Sequence, residues 1–207
     1  MSESAEHLPF DPTLDFYNRN ADAYVAETMP IDMSETYRRF EAHLAPGASI
    51  LDLGCGSGRD SRHFMEQGFT VTSVDGAEEF CRRASILLGI PVRCLLFQDL
   101  DYVCAFDAVW ASASLLHVPK SEIGSVMGKV AAALKPNGVF FASFKYGETE
   151  REAGGRRYSD YTEKDIPWLT QFDDGLQLLE YWISESSREE RAGEQWLNMV
   201  FMNRKGN

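Results

Sequence analysis

Ile50-Leu51-Asp52-Leu53-Gly54-Cys55-Gly56-Ser57-Gly58-Arg59-Asp60 is the stretch that decides the fold. A short apolar run, residues 49–53, ends on glycines at three alternate positions, and a helical pattern over 59–67 opens at once. Such a run with glycine after it is the signature of a buried strand feeding a turn. Glycines at that point let the backbone take positive φ and let a ligand approach the main chain. The first N–H groups of the helix have no intrahelical acceptor, which leaves them available to that ligand. Further on, Asp75 ends the next strand, where a carboxylate can accept both ribose hydroxyls of an adenosine.

A nicotinamide or flavin dinucleotide asks for a different loop, G-x-G-x-x-G, whose third glycine lets the helix pack against the strand. Counting from Gly54, that position is Arg59, a long side chain, and the spacing is G-x-G-x-G. The pattern speaks against a dinucleotide.

Outward from the loop, strand and helix patterns alternate. Strands are expected at 49–53, 69–74, 92–97, 106–111 and 139–144, and helices at 59–67, 77–88 and 121–134. Short connections between them imply a parallel sheet with helices on both faces. Lys135-Pro136-Asn137-Gly138 is the turn into the fifth strand. Two further β-like runs, 176–185 and 195–204, are separated by a polar segment of nine residues, 186–194. That leaves little room for a crossover helix, so the pair should be antiparallel. The expected fold is therefore α/β: a Rossmann-like doubly wound sheet of seven strands, mostly parallel, with a C-terminal antiparallel hairpin. Ahead of it, residues 13–28 and 34–44 read as cap helices, with Asp32 and Glu35 as a capping box for the second. One domain over 1–207 is expected, with a flexible tail at 1–12, a helical cap at 13–45 and the core at 46–207.

Composition narrows the function classes. The formal net charge is −12, from 20 Lys and Arg against 32 Asp and Glu, which argues against nucleic acid as the main partner. A small, neutral or cationic substrate is easier to reconcile with it. Cys55, Cys81, Cys94 and Cys104 form no C-x-x-C pair and lie at no metal-ligand spacing with histidine, so reduced thiols and no metal are expected. The N-terminal residues are acidic without an apolar core, and no apolar run is long enough for a membrane span. A cytoplasmic protein is the expectation.

Residues 50–60 resemble the first motif of class I S-adenosylmethionine (SAM)-dependent methyltransferases, and further segments match that family in order. Val74-Asp75-Gly76-Ala77 is similar to the second motif, which implies Asp75 on the ribose with Gly76 and Ala77 beside the adenine. Phe97-Gln98-Asp99-Leu100 resembles the third, with Asp99 near the adenine amino group. Phe106-Asp107-Ala108-Val109-Trp110-Ala111 followed by Leu115-Leu116-His117-Val118-Pro119 resembles the fourth. The resemblance implies a cofactor site built from Asp52, Gly54, Cys55, Gly56, Gly58, Asp75, Gly76, Ala77, Gln98, Asp99, Leu100, Ala111 and Ser112. Residues 16–24 resemble the entry helix of small-molecule members, which adds Tyr17, Arg19 and Tyr24. The cofactor implied is SAM, with S-adenosylhomocysteine (SAH) as product. Ser57-Gly58-Arg59-Asp60-Ser61 and Ser143-Phe144-Lys145-Tyr146-Gly147 further resemble tellurite-resistance-like methyltransferases.

The acceptor is not named by the sequence. Ligands of open α/β sheets sit beyond the carboxyl ends of the strands. That nominates Trp110, Ser112, Ser114 and His117 from one loop and Lys145, Tyr146, Arg156 and Arg157 from another, the latter read as a mobile lid. Arg188, Trp196 and Asn198 could join the rim. His117 and Tyr146 are the candidate bases, although transfer from a sulfonium needs a base only when the acceptor must lose a proton. Position 110–114, Trp-Ala-Ser-Ala-Ser, lacks the Asn/Asp-Pro-Pro-aromatic motif of amino-base methyltransferases, and no Pro-Cys nucleophile is present. A small-molecule acceptor is expected. The alternatives are a non-catalytic SAM-binding module and an NAD(P)-dependent oxidoreductase.

Overall fold

The computed structural model describes residues 11–173, 175–186 and 193–205. The chain opens with α1 (Pro12–Thr28), whose start belongs to the stretch expected as a tail: Asp11 caps it, accepting the Thr13 N–H at 2.7 Å, and Pro12 is its first residue. The remainder of that tail, 1–10, lies outside the described residues. The helix departs from helical dihedrals at Asn20 (φ −114°, ψ 18°), where the side-chain amide donates to the Phe16 carbonyl at 2.8 Å. That carbonyl is the ordinary partner of the Asn20 N–H, so a side chain has entered the ladder and bent it.

After α2 (Ser34–Glu41) come β1 (Ser49–Leu53), α3 (Arg59–Glu66), β2 (Thr70–Asp75), α4 (Glu78–Leu88), β3 (Arg93–Cys94), β4 (Phe106–Ala111), α5 (Ile123–Ala133) and β5 (Leu134–Lys145). The rest is β6 (Glu150–Ala153), β7 (Arg156–Ser159), α6 (Ile166–Thr170), β8 (Leu176–Glu185) and β9 (Gln195–Asn203). Seven strands form one sheet in the order β3-β2-β1-β4-β5-β9-β8, parallel except where β9 runs against β5 and β8. The order reverses between β1 and β4, which is where such sheets open a crevice at their carboxyl ends.

Strand alternation sends side chains to two cores. On one face Ile50, Trp110, Phe141 and Val200 pack beneath α2 and α3, with Tyr37, Phe40 and Phe64. On the other Leu51, Leu53, Val109, Phe140 and Phe201 pack against Val126, Met127 and Val130 of α5. Full burial of such a side chain contributes about 1.5–3 kcal/mol.

Four local expectations need correction. The capping box of α2 does not form: Met33 is the N-cap, Asp32 accepts from Ser34 N–H, and Glu35 instead pairs with Arg38 and Arg39. The third strand is two residues long, because Leu95, Leu96 and Phe97 turn in to line a cavity and residues 97–99 curl into a 3-10 turn. Among the described residues strands number nine, not seven. The extra two make a separate antiparallel hairpin, β6–β7, where the sequence suggests a mobile loop. Gly154 and Gly155, both with positive φ (57° and 76°), turn it between Ala153 and Arg156.

Candidate functional site

A cavity of about 420 Å³ opens above the switch point, a size typical of small-molecule sites. Its floor is the glycine loop after β1. Gly54 has φ 83°, and a Cβ there would lie 2.5 Å from the Cβ of Ser114, so only glycine lets the two strand-end loops meet. Ser114 Oγ donates to the Leu53 carbonyl at 2.7 Å and fixes that approach.

Four N–H groups of the loop ahead of the helix are engaged within the fold. Those of Gly54 and Cys55 donate to Val74 O, that of Gly58 to Cys55 O, and that of Gly56 to Asp75 Oδ2 at 2.8 Å. Asp75 Oδ1 accepts the Ala77 N–H at 2.8 Å. Each carboxylate oxygen thus keeps acceptor capacity while being oriented by the backbone. Burial raises the Asp75 pKa and the Ala77, Gly56 and Gly76 N–H groups oppose it, leaving the carboxyl at about 6. Through Gly56 the loop therefore presents shape and one carboxylate.

Beneath the loop runs a buried polar network that the sequence does not announce. Asp60 takes the Tyr37 O–H at 2.5 Å, Arg59 Nε at 2.6 Å and Trp110 Nε1 at 2.9 Å. Burial raises its pKa, but the Arg59 guanidinium and these hydrogen bonds prevail and hold it below the carboxylate norm. Arg59 also reaches back to Thr28 O at 3.0 Å, tying α3 to the end of α1. Asp52 is buried under the loop, accepts from Ser61 Oγ at 2.6 Å, and is pushed up to about 8 by burial and by the charge of Asp60.

The roof is α1. Tyr17 and Tyr24 touch each other, with ring centroids 5.1 Å apart, and both rest on Phe80. Tyr17 bonds His117 Nε2 at 2.7 Å, and His117 Nδ1 bonds the Arg157 carbonyl at 2.6 Å. A carbonyl only accepts, so Nδ1 carries the proton, Nε2 is the acceptor and the tyrosine O–H donates. Burial depresses the His117 pKa to about 4, the Arg157 carbonyl opposes this, and the charge of Arg156 adds to the depression. The imidazole is thus neutral at pH 7 and its lone pair is engaged.

The far wall comes from β5, β7, β8 and β9. Lys145 Nζ pairs with Glu194 at 2.8 Å and lies 5.0 Å from the Tyr158 ring. Arg156 lies over Phe16, 4.2 Å from the ring centroid. Trp182, Trp196 and Asn198 complete the rim, while Arg188 lies outside the described residues.

Of the expected cofactor residues, Tyr17, Tyr24, Gly54, Cys55, Gly56, Asp75, Gly76, Gln98 and Ser112 line this cavity. Others do not. Arg19, two residues from Tyr17 and so on the opposite helix face, is three-quarters exposed and pairs with Asp15. Gly58 is the left-handed N-cap of α3 and lies against Ala84 and Leu87 of α4. Its missing side chain lets the start of α3 pack closely on α4. Ala77, Leu100 and Ala111 are buried in the cores, Asp52 is beneath the loop, and Asp99 is exposed.

Of the acceptor candidates, Ser114, His117, Lys145 and Arg156 line the cavity. Trp110 does not: it is wholly buried, stacked on Phe141 at 4.1 Å, because its strand position faces α2 and α3. Tyr146 donates to Glu163 outside the cavity, and the Arg157 side chain faces Glu150 and Glu152. Phe80, Arg59, Asp60, Tyr158 and Trp182 line the cavity without being expected there, and Phe16 lies against Arg156. Only the hairpin that brings Tyr158 carries a readable signal, the Gly-Gly pair at 154–155.

Comparison with known proteins agrees with this geometry. Residues 50–138 match a family model described as a methyltransferase domain. A ubiquinone biosynthesis O-methyltransferase of Paramagnetospirillum magneticum is 30% identical over 128 residues, 55% of this chain and 51% of that one. The chain spans about half the length of the curated relatives it matches. The structure resembles the Burkholderia thailandensis 1,6-didemethyltoxoflavin-N1-methyltransferase, crystallised with 1,6-didemethyltoxoflavin and SAH, with TM-score 0.74 and 26% identity. That match covers 92% of this chain and 84% of the other. A TehB-like SAM-dependent methyltransferase of Corynebacterium glutamicum shares the fold, with TM-score 0.67, 19% identity and coverage of 89% and 98%. Residues 50–138 thus match a methyltransferase domain model, and the chain shares its fold with SAM-dependent methyltransferases.

Proposed function

We propose that this protein transfers a methyl group from SAM to a small-molecule acceptor, and that residues 1–207 act as one domain in which 13–45 form the cap and 46–207 the core. The observation that carries the reading is a single cavity: it joins the Gly54–Gly56 loop and Asp75 at one end to Tyr17, His117, Lys145 and Arg156 at the other. The donors present fit the cofactor, because a buried carboxylate with spare acceptor capacity and a glycine floor suit an adenosine with a free ribose diol.

When bound, SAM supplies a methyl group on a sulfonium whose departing thioether needs no proton. The work left to the chain is binding, alignment and exclusion of water. Asp75, Gly76 and Gln98 bind the adenosyl end, Gly54 and Gly56 allow close approach, and Tyr24 covers the loop. Tyr17, held by His117, forms the wall between the two ends. Alignment of two reactants alone can contribute about 7–11 kcal/mol to the rate. His117 acts as a positioning residue, since its lone pair is given to Tyr17.

The names of the relatives place methyl groups on oxygen in one case and on nitrogen in the other. Oxygen and nitrogen are therefore the first acceptor atoms to try. The finer resemblance to tellurite-resistance-like enzymes rests on residues 57–61 and 143–147, and adds a chalcogen oxyanion to the acceptors to be tried.

Calorimetric titration with SAM, SAH and NADH tests the proposal. Micromolar binding of the first two without response to NADH is expected, followed by SAH release in an acceptor screen. Binding of NADH alone would overturn it.

A further inference from the structure

Among the described residues, Arg156 is a cation without an answering charge. Its guanidinium carbon lies 4.2 Å from the ring centroid of Phe16, 5.4 Å from that of Tyr158 and 5.7 Å from that of Tyr17. Its guanidinium hydrogen-bonds the Tyr17 hydroxyl, but its Nε is buried and has no hydrogen-bond partner among the described residues. No carboxylate among them pairs with it, although acidic residues outnumber basic ones by 32 to 20. The neighbouring cations differ: Lys145 pairs with Glu194, and Arg157 faces Glu150 and Glu152. Asp11, which also lines the cavity, is engaged as the cap of α1. A desolvated donor left unanswered costs free energy, which a ligand supplying the acceptor recovers.

Its position distinguishes which ligand. The Tyr17 ring touches Tyr24 and Phe80 toward the glycine loop, and His117 and Arg156 toward the β6–β7 hairpin. Arg156 therefore belongs to the acceptor end. His117 is no free base at that end, since it gives Nδ1–H to a carbonyl and accepts the Tyr17 O–H at Nε2.

We propose that the acceptor binds as an anion, an acidic phenol or enol that has lost its proton, with the Arg156 guanidinium holding the charge; this rests on the methyltransferase reading above. Tyr17 and Tyr158, which line the cavity, then flank an aromatic or conjugated ring, with Phe16 against the guanidinium. The proton leaves to solvent on binding. In the transfer, a lone pair of the acceptor forms the bond to the methyl carbon as the carbon–sulfur bond breaks, with its electrons remaining on sulfur. One negative and one positive charge cancel, and no proton moves in that step.

The test uses 4-nitrophenol, whose phenol and phenolate forms absorb differently, at a pH below its own pKa. With SAH-loaded wild-type protein the phenolate band should grow several-fold. Arg156→Gln should abolish the growth, and Arg156→Lys, which keeps the charge without the planar fork, should retain part of it. SAH affinity should be the same in all three proteins. An unchanged spectrum with wild type, or equal spectra in wild type and Arg156→Gln, overturns the proposal. So does an approximately tenfold loss of SAH affinity in Arg156→Gln, which would assign Arg156 to the cofactor's carboxylate. If SAH fails to bind wild type, the function proposed above falls; the same spectra taken without SAH still decide the anion site.

Discussion

The two ends of the cavity are built on different principles. At the glycine-loop end, the residues that form the floor lie close together in sequence: Gly54, Gly56 and Asp60 follow β1 directly, and Asp75 is one strand later. Polar groups there are buried and mutually satisfied, as Asp60 and Asp75 show. At the acceptor end, Tyr17, His117 and Arg156 come from three elements spread over most of the chain, and Arg156 keeps an unanswered donor. The first end is set by folding; the second is completed only by a ligand. A chain organised in this way keeps its cofactor chemistry constant and leaves substrate choice to residues that folding does not require.

Breaking the Asp60 network should produce the largest effect. Asp60→Ala strands a buried Arg59 and frees Tyr37 and Trp110, and should cost about 3–5 kcal/mol in denaturant unfolding. A loss below about 1 kcal/mol would mean that the loop end is not held by its buried polar groups. Asp75→Ala comes next: SAH affinity, read by calorimetry on protein shown to be folded, should fall about tenfold or more, on ~1.5–3 kcal/mol for a charged hydrogen bond. Unchanged affinity would remove Asp75 from the cofactor end.

The histidine sharpens the contrast through pH. His117 is depressed to about 4 in the fold, below its ordinary value. The unfolded chain therefore binds the proton first as pH falls, and the stability that neutral His117 contributes is lost between about pH 6.5 and about pH 4. Wild type should lose about 2 kcal/mol more than His117→Asn between about pH 7 and about pH 5. Parallel pH profiles for the two proteins would show that the imidazole is not buried as described. Asp75 and Asp52, both raised, act in the opposite direction in wild type and variant alike, so the difference isolates the histidine. The smallest effect belongs to Arg157→Ala. Its side chain makes only exposed ion pairs and its carbonyl serves His117 whatever the side chain, so stability and turnover should each change by less than about 0.5 kcal/mol. A large loss of turnover would return the Arg157 side chain to the cavity.

The same contrast explains how much of the molecule is legible in its amino-acid sequence. Strands β1 and β4, the parallel order and the closing antiparallel pair follow from apolar periodicity and connection length, which are local. Gly54, Gly56 and Asp75 are legible because the loop that uses them is contiguous. Trp110 and Arg19 are misplaced by sequence alone because a motif fixes a position along the chain but not the face of the strand or helix it occupies. Asp60 is invisible as a hub, since its partners Tyr37 and Trp110 are brought to it only by packing α2 and α3 on β4. Arg156 is expected from its place after β5, but its aromatic box needs α1 folded over the hairpin.

The bend at Asn20 divides the roof between Tyr17 and Tyr24. With the kink between them, the two rings are aimed by differently oriented turns of one helix and still meet 5.1 Å apart over Phe80. A single asparagine side chain thereby lets one helix roof both ends of the cavity, with the two rings moving as neighbours.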